Sequence, residues 1–174
     1  MCIPAALRPT TSGIELRFWQ KPRMLYFFLF AYLSSSGGRF SSLLFPTFWQ
    51  VDGEEVDPSL LGTFFAFYWL TYSVATPLAS LLSDSYNINP TNLIITCLVI
   101  SLSSFSLHFF VEGASFELHV TCRCVYSAAV GPIMSKLDGF TLQFLQRHSR
   151  GVDASAQFGK ERLWGAVSWA IANV

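Results

Sequence analysis

The sequence predicts an all-α fold, a polytopic transmembrane helix bundle, and three observations carry that expectation. Apolar residues make up 52% of the 174 and charged residues only 13%, against roughly 25% charge in ordinary soluble domains. Four apolar stretches are each long enough to cross a hydrocarbon core of about 30 Å, which takes about 20 helical residues. Basic residues collect in alternate connectors, as the positive-inside rule requires of a multi-pass chain. The expected organisation is a cytoplasmic N-terminal tail over 1–23 and a transmembrane domain over 24–174, with four full spans and the start of a fifth.

In the tail, Arg8, Arg17, Lys21 and Arg23 face one acid, Glu15, and Pro4, Pro9, Gly13 and Pro22 interrupt any helical period. It lacks the apolar core and small-residue cleavage site of a signal peptide, so the first span is expected to act as an uncleaved signal. That span, 24–49, holds Arg39 as its only charge, about 22 Å from Met24 and therefore beyond the bilayer midplane. The connector 50–58 carries Asp52, Glu54, Glu55 and Asp57 with no basic residue.

The second span, 60–83, is free of charge, and Asp84 closes it before the turn residues Asn87, Asn89 and Pro90. Small residues at Gly62, Ala66, Ser73, Ala75 and Ala79 predict close helix packing. The third span, 92–111, is uncharged, with His108 near its end, and a short acidic connector follows. The fourth, 118–145, carries Arg123, Lys136 and Asp138. A polar connector with Arg147, Arg150, Lys160 and Arg162 leads to a fifth segment over 163–174. Twelve residues reach about 18 Å as a helix, too short to cross, so the chain is expected to stop inside an element.

Counting Lys and Arg places four in the tail, four after the fourth span and none after the first and third. Alternating sides then puts the N-terminus in the cytoplasm. The protein is expected to be an integral, multi-pass membrane protein.

An ionisable side chain inside a span costs several kcal/mol unless it faces protein or water. Arg39 and Arg123 both fall in the outer halves of their spans, where they could line one water-filled cavity as substrate-binding or coupling groups. The structural alternative has Arg123 snorkelling to the headgroups and Arg39 on backbone carbonyls or Glu117. Lys136 and Asp138, two residues apart, lie on different faces of a helix, so each needs a partner elsewhere or the interface. His108 and His119 fall near the outer boundary and are expected as interfacial histidines rather than metal ligands. Cys2, Cys97, Cys122 and Cys124 show no C-x-x-C spacing and are expected as small apolar residues.

No metalloprotease, nucleophile-elbow or phosphate-loop pattern is present, so no enzyme and no cofactor is expected. The basic residues sit beside membrane helices, where topology accounts for them, and no nucleic-acid partner is expected.

The run Gly131-Pro132-Ile133-Met134-Ser135-Lys136-Leu137-Asp138-Gly139-Phe140-Thr141-Leu142 is followed by Phe158-Gly159-Lys160-Glu161-Arg162-Leu163-Trp164-Gly165-Ala166. Together they resemble the end of the fourth helix and the Tyr-Gly-x-x-Arg-Leu-Trp-Gly-Ser pattern of one branch of the major facilitator superfamily. That branch is the facilitator-associated domain, similar to lactose-permease-type and nucleoside-proton symporters. The resemblance covers 21–174 and includes Leu82-Ser83-Asp84 at the end of span two, although Ser80, Ser85, Asn87 and Ile88 replace the family's Gly and basic residues around that Asp.

The resemblance implies twelve helices in two halves with the solute between them. Asp84, Lys136, Asp138, Arg162 and Trp164 then become gating or structural candidates. The function it implies is the N-terminal portion of a secondary active transporter for a small polar solute, possible proton coupling included, and inactive alone. The expected partners are the lipid bilayer, the solute, and either a missing C-terminal half or a partner membrane protein. The alternative reading is a non-transporting membrane protein that packs on such a partner.

Overall fold

The structure, a computed structural model, describes residues 21–37, 50–51, 54–55, 57–110, 116–148 and 154–174. Five α-helices account for nearly all of these: α1 (Pro22–Leu33), α2 (Pro58–Ser85), α3 (Pro90–Phe110), α4 (Phe116–His148) and α5 (Ala154–Ala172). Between α1 and α2, β1 (Gln50–Val51) pairs antiparallel with β2 (Glu54–Glu55) in the acidic connector, Gln50 opposite Glu55.

Each helix starts where the sequence supplies the chemistry. Pro occupies the first turn of α1 and α2, where its missing N–H costs nothing. Asp57 caps α2, its Oδ1 accepting the Ser59 N–H at 2.9 Å. That bond holds the exposed Asp57 carboxyl below the usual carboxylate range. The cap is therefore intact through neutral pH and is lost only on acidification below that range.

The stop of α2 is equally local. Asn87 takes a left-handed φ of 50°, the Ile88 N–H donates to the Ser83 carbonyl at 2.9 Å and the Asn87 N–H to that of Asp84 at 3.4 Å, which is a Schellman stop. Asn89 then caps α3 through the Thr91 N–H at 2.9 Å. The chain reverses between Ser85 and Pro90.

The helices are longer than the expected spans. The second, third and fourth expected spans differ from α2, α3 and α4 by up to three residues at each end. The larger correction is α5, which begins at Ala154, where a connector was expected up to residue 162. Its 19 residues reach about 28 Å rather than about 18 Å. The reason is that Glu161 and Arg162, which look like solvated loop charges, pair with residues on α1 and α4. The second half of the expected first span, 38–49, lies outside the described residues.

Among the described residues, two helices are long and apolar enough to cross a membrane, over Ser59–Ser85 and Pro90–Phe110. Helix α4 has the length, at 33 residues, but carries Arg123, Lys136 and Asp138. It is nonetheless the centre of the bundle. Helices α2 and α3 both pack along it, α1 packs along α5, and α4 meets α5 over a shorter stretch. One apolar cluster joins Tyr26 and Leu29 of α1, Cys97 of α3, and Ala129, Ile133 and Leu137 of α4. A second, around Phe64, joins α2, α3 and α4 through Phe105, Phe116 and Val120. Cys97, Cys122 and Cys124 are free thiols.

Hydroxyls tie the helices pairwise. Ser127 donates to the Tyr68 carbonyl of α2 at 2.7 Å, Ser168 to the Phe27 carbonyl of α1 at 2.6 Å, and Tyr32 to Ser101 of α3 at 3.2 Å. Where lipid offers no hydrophobic gain for helix association, such bonds and close small-residue packing hold a bundle.

Gly131 marks a close approach between α2 and α4. A Cβ there would overlap Thr76 Oγ1 and reach 3.4 Å from the Tyr72 carbonyl. Gly131→Ala should therefore lower stability by about 1–3 kcal/mol through overpacking. Gly62→Ala, in open space on α2, should be neutral or gain up to about 1 kcal/mol. Thermal unfolding in detergent separates the two; equal melting temperatures would contradict this packing.

Candidate functional site

Three helices present stripes of residues to one concave face of the bundle, on the side away from α3. From α2 come Phe65, Tyr68, Trp69 and Tyr72, and from α1 Phe30, Leu33, Ser34 and Gly37. Both sets follow the i, i+3, i+4, i+7 spacing of a single helix face. Helix α4 forms the floor with Arg123, Val130 and Met134, and Trp169 of α5 adds to the α1 wall. The concavity, open on one side, has a volume of about 630 Å³, within the range of small-molecule sites. From Arg123 to Met134 the floor runs about 16 Å.

Arg123 lies at one end of this cavity and is 3% exposed. Burying a guanidinium demands compensation. Nη1 donates to the Ser36 carbonyl at 3.0 Å and Nη2 to that of Gly37 at 2.9 Å. The guanidinium carbon stands 5.0 Å from the Tyr68 ring centre and 4.5 Å from that of Tyr126, within cation–π distance of both rings. The two rings stack on each other at 6.5 Å and 25°.

The accepting carbonyls belong to a π-helical turn over 34–37 that continues α1. A π turn breaks the regular i to i+4 ladder and often marks functional positions. Ser36 secures the turn, its hydroxyl donating to the Tyr32 carbonyl at 2.7 Å and meeting the Tyr126 hydroxyl at 2.6 Å. Asn173, just past the end of α5, donates to Ser34 of the same turn.

The opposite end of the bundle is stitched by ion pairs. Glu161 of α5 accepts from Arg23 Nη2 at 2.7 Å, from Nε at 3.2 Å and from the Arg23 backbone N–H at 2.9 Å. Asp138 accepts the Tyr26 hydroxyl at 2.6 Å and lies 3.8 Å from Arg162. Lys136 reaches Asp84 at 2.8 Å. These bonds link α1 to α5, α4 to both α1 and α5, and α2 to α4.

The sequence candidates therefore divide. Arg123 lines the cavity; Arg39 lies outside the described residues. Asp84 and Lys136 come together, as do Asp138 and Arg162, so the two neighbouring charges of α4 have separate partners on separate helices. Trp164 is half-buried on α5. Its neighbour Gly165 sits against Phe30, where a Cβ would fall 2.8 Å from the ring, so the Trp-Gly of the motif allows α1 and the cavity wall to approach α5. His108 and His119 stack with rings 5.4 Å apart and Nδ1 atoms at 3.1 Å, and both are buried.

Sequence reading missed the aromatic stripe of α2, although its helical spacing is legible. It also missed Glu161, Tyr26, Tyr126 and the Ser36–Gly37 carbonyls, which no local signal marks.

Replacing Arg123 by Met should destabilise the bundle by about 3 kcal/mol, because it removes two charge-assisted bonds and the cation–π contacts to Tyr68 and Tyr126. Glu161→Ala should cost about 2 kcal/mol, since Glu161 is buried against Arg23. Lys136→Ala should cost about 0.5 kcal/mol or less, because the Asp84 partner is 75% exposed. Unfolding midpoints of the three variants in one detergent test this order; a Lys136 variant as impaired as the Arg123 one would overturn it.

The sequence from residue 20 to 174 matches the model of the MFS_1 like family. No curated protein and no solved structure matches the chain. With nearly its whole length matched by that family's model, the chain belongs to the MFS_1 like family of the major facilitator superfamily, a transporter-type family.

Proposed function

We propose that this chain forms the N-terminal portion of a secondary active transporter of the facilitator-associated branch, similar to lactose-permease-type and nucleoside-proton symporters. The cavity headed by Arg123 is half of its solute site. The observation that carries this reading is the buried, positioned cation at the end of a concavity of about 630 Å³. A guanidinium oriented by carbonyls and rings can attract a polar or anionic solute in surroundings where charge is weakly screened.

In this reading α1 to α4 are four spans and α5 the start of a fifth, with the N-terminus cytoplasmic. The charges agree with that placement. Arg23, Lys136 and Arg162 all meet their acids at the end of the bundle where α1 starts and α2 stops, the end at which cytoplasmic basic residues are expected. Alternating access moves one half of a transporter against the other around a central site. The chain alone should therefore bind solute without carrying it across. Proton coupling through the polar groups around Arg123 belongs to the same proposal.

Two measurements test it. In a variant stripped of its native cysteines, new ones introduced singly at Ser12 and Ser149 should be labelled from the same side of sealed vesicles, opposite to one at Glu54. Labelling of Ser12 and Ser149 from opposite sides would refute the topology. Proteoliposomes of the purified chain should bind a polar solute from a panel of sugars, nucleosides and carboxylates without uptake, and Arg123→Gln should abolish the binding. Failure to bind any of them, together with stable association with a second membrane protein, would favour the alternative of a non-transporting partner subunit.

A further inference from the structure

The walls of the cavity are more selective than its charge. Trp69 on the α2 wall is 59% exposed and Trp169 on the α5 side is 56% exposed, yet both line the same space. Tyr72 stands edge-on to Trp69 at 5.9 Å, and Tyr68 does so at 5.1 Å, so the three rings form one aromatic cluster on the α2 wall. Phe30 of the facing wall is itself fixed by the close seat of Gly165. Among the described lining residues, the polar side-chain groups besides Arg123 are the hydroxyls of Ser34, Tyr68 and Tyr72 and the indole N–H donors of Trp69 and Trp169.

A solute bearing many hydroxyls would set part of them against the aromatic carbon of these walls, at a cost of about 1–3 kcal/mol for each one buried without a partner. A flat aromatic ring instead meets aromatic side chains from α2 and from the α1 and α5 side, and such rings pair favourably in offset or edge-on geometry. Arg123, fixed at one end of the floor, gives such a ring a direction: carboxylate toward the guanidinium, ring toward the tryptophans.

We infer that the cavity takes a planar aromatic solute bearing an anionic group, an aryl carboxylate in its simplest form, with the ring between the Trp69 and Trp169 walls and the anion at Arg123. This rests on the transporter reading for the cavity being a solute site, and it narrows the polar solute of that reading to an amphipathic one.

Equilibrium dialysis of the purified full chain in nanodiscs tests it with four labelled probes: 2-naphthoate, cyclohexanecarboxylate, 2-naphthalenemethanol and galactose. 2-Naphthoate should be retained saturably and at least about tenfold more tightly than the other three. Trp169→Ala, at a half-exposed position that leaves the helix contacts in place, should weaken it about tenfold, the scale of a lost stacking partner. Trp69→Ala should do the same, and Arg123→Lys should weaken naphthoate while leaving the neutral naphthalenemethanol unchanged.

Preferential retention of galactose that Trp169→Ala abolishes would overturn the aromatic-anion assignment and leave the solute site standing. Equal binding of naphthoate and naphthalenemethanol would overturn the anionic part. No saturable binding of any probe would overturn both this inference and the solute-site reading. Naphthoate retention unchanged in all three variants would place the ligand elsewhere and overturn the inference as well.

Discussion

Burying the Arg123 guanidinium is the constraint around which the bundle is arranged. A charge that is 3% exposed on a helix expected within a bilayer must be met from several directions at once. The structure meets it with the carbonyls of a π-helical turn on α1, one ring from α2 and one from its own helix. Three helices are thereby committed to a single point. Helix α4 consequently holds the inner position although α2 and α3 are the more apolar, because the most polar helix has the most groups that need protein partners.

The remaining contacts follow the same economy of polar groups. Serine hydroxyls donate to carbonyls of neighbouring helices, and Gly131 and Gly165 let α4 meet α2 and α5 meet α1 closely. At the far end, Glu161, Arg23, Asp138, Arg162 and Tyr26 tie α1, α4 and α5 together, while Asp84 and Lys136 form a more exposed link to α2. The bundle is thus pinned at the Arg123 level and at the ion-pair level, with the cavity floor between them along α4.

That spacing has a functional sense. A cavity walled by α1, α2 and α5 with α4 as its floor is open on the side away from α3. On the proposed transporter reading, a concave face bounded by two pinned levels can stay rigid while another body moves against it, as rigid-body rocking requires. The exposed apolar residues of α2 and α3 need not be in water, since two of the helices have the length and composition to lie in a membrane.

Much of this was legible in the chain itself. Uninterrupted apolar length set α2 and α3 to within two residues, because turn and cap residues such as Asp57, Asn87 and Asn89 act locally. The Arg-Leu-Trp-Gly pattern after α4 pointed to the superfamily that the family match bears out. The helical spacing of Phe65, Tyr68, Trp69 and Tyr72 was also there to be read. Tertiary structure alone decided which charges meet. Glu161 and Arg23 are separated by 138 positions, and a charge looks the same in sequence whether water or a distant helix answers it. For that reason α5 begins earlier than its sequence suggests, and Arg123 rests on carbonyls of α1 rather than at the headgroups. Local propensity reaches only a few residues along the chain, whereas burial of a charge is settled by whatever the fold brings beside it.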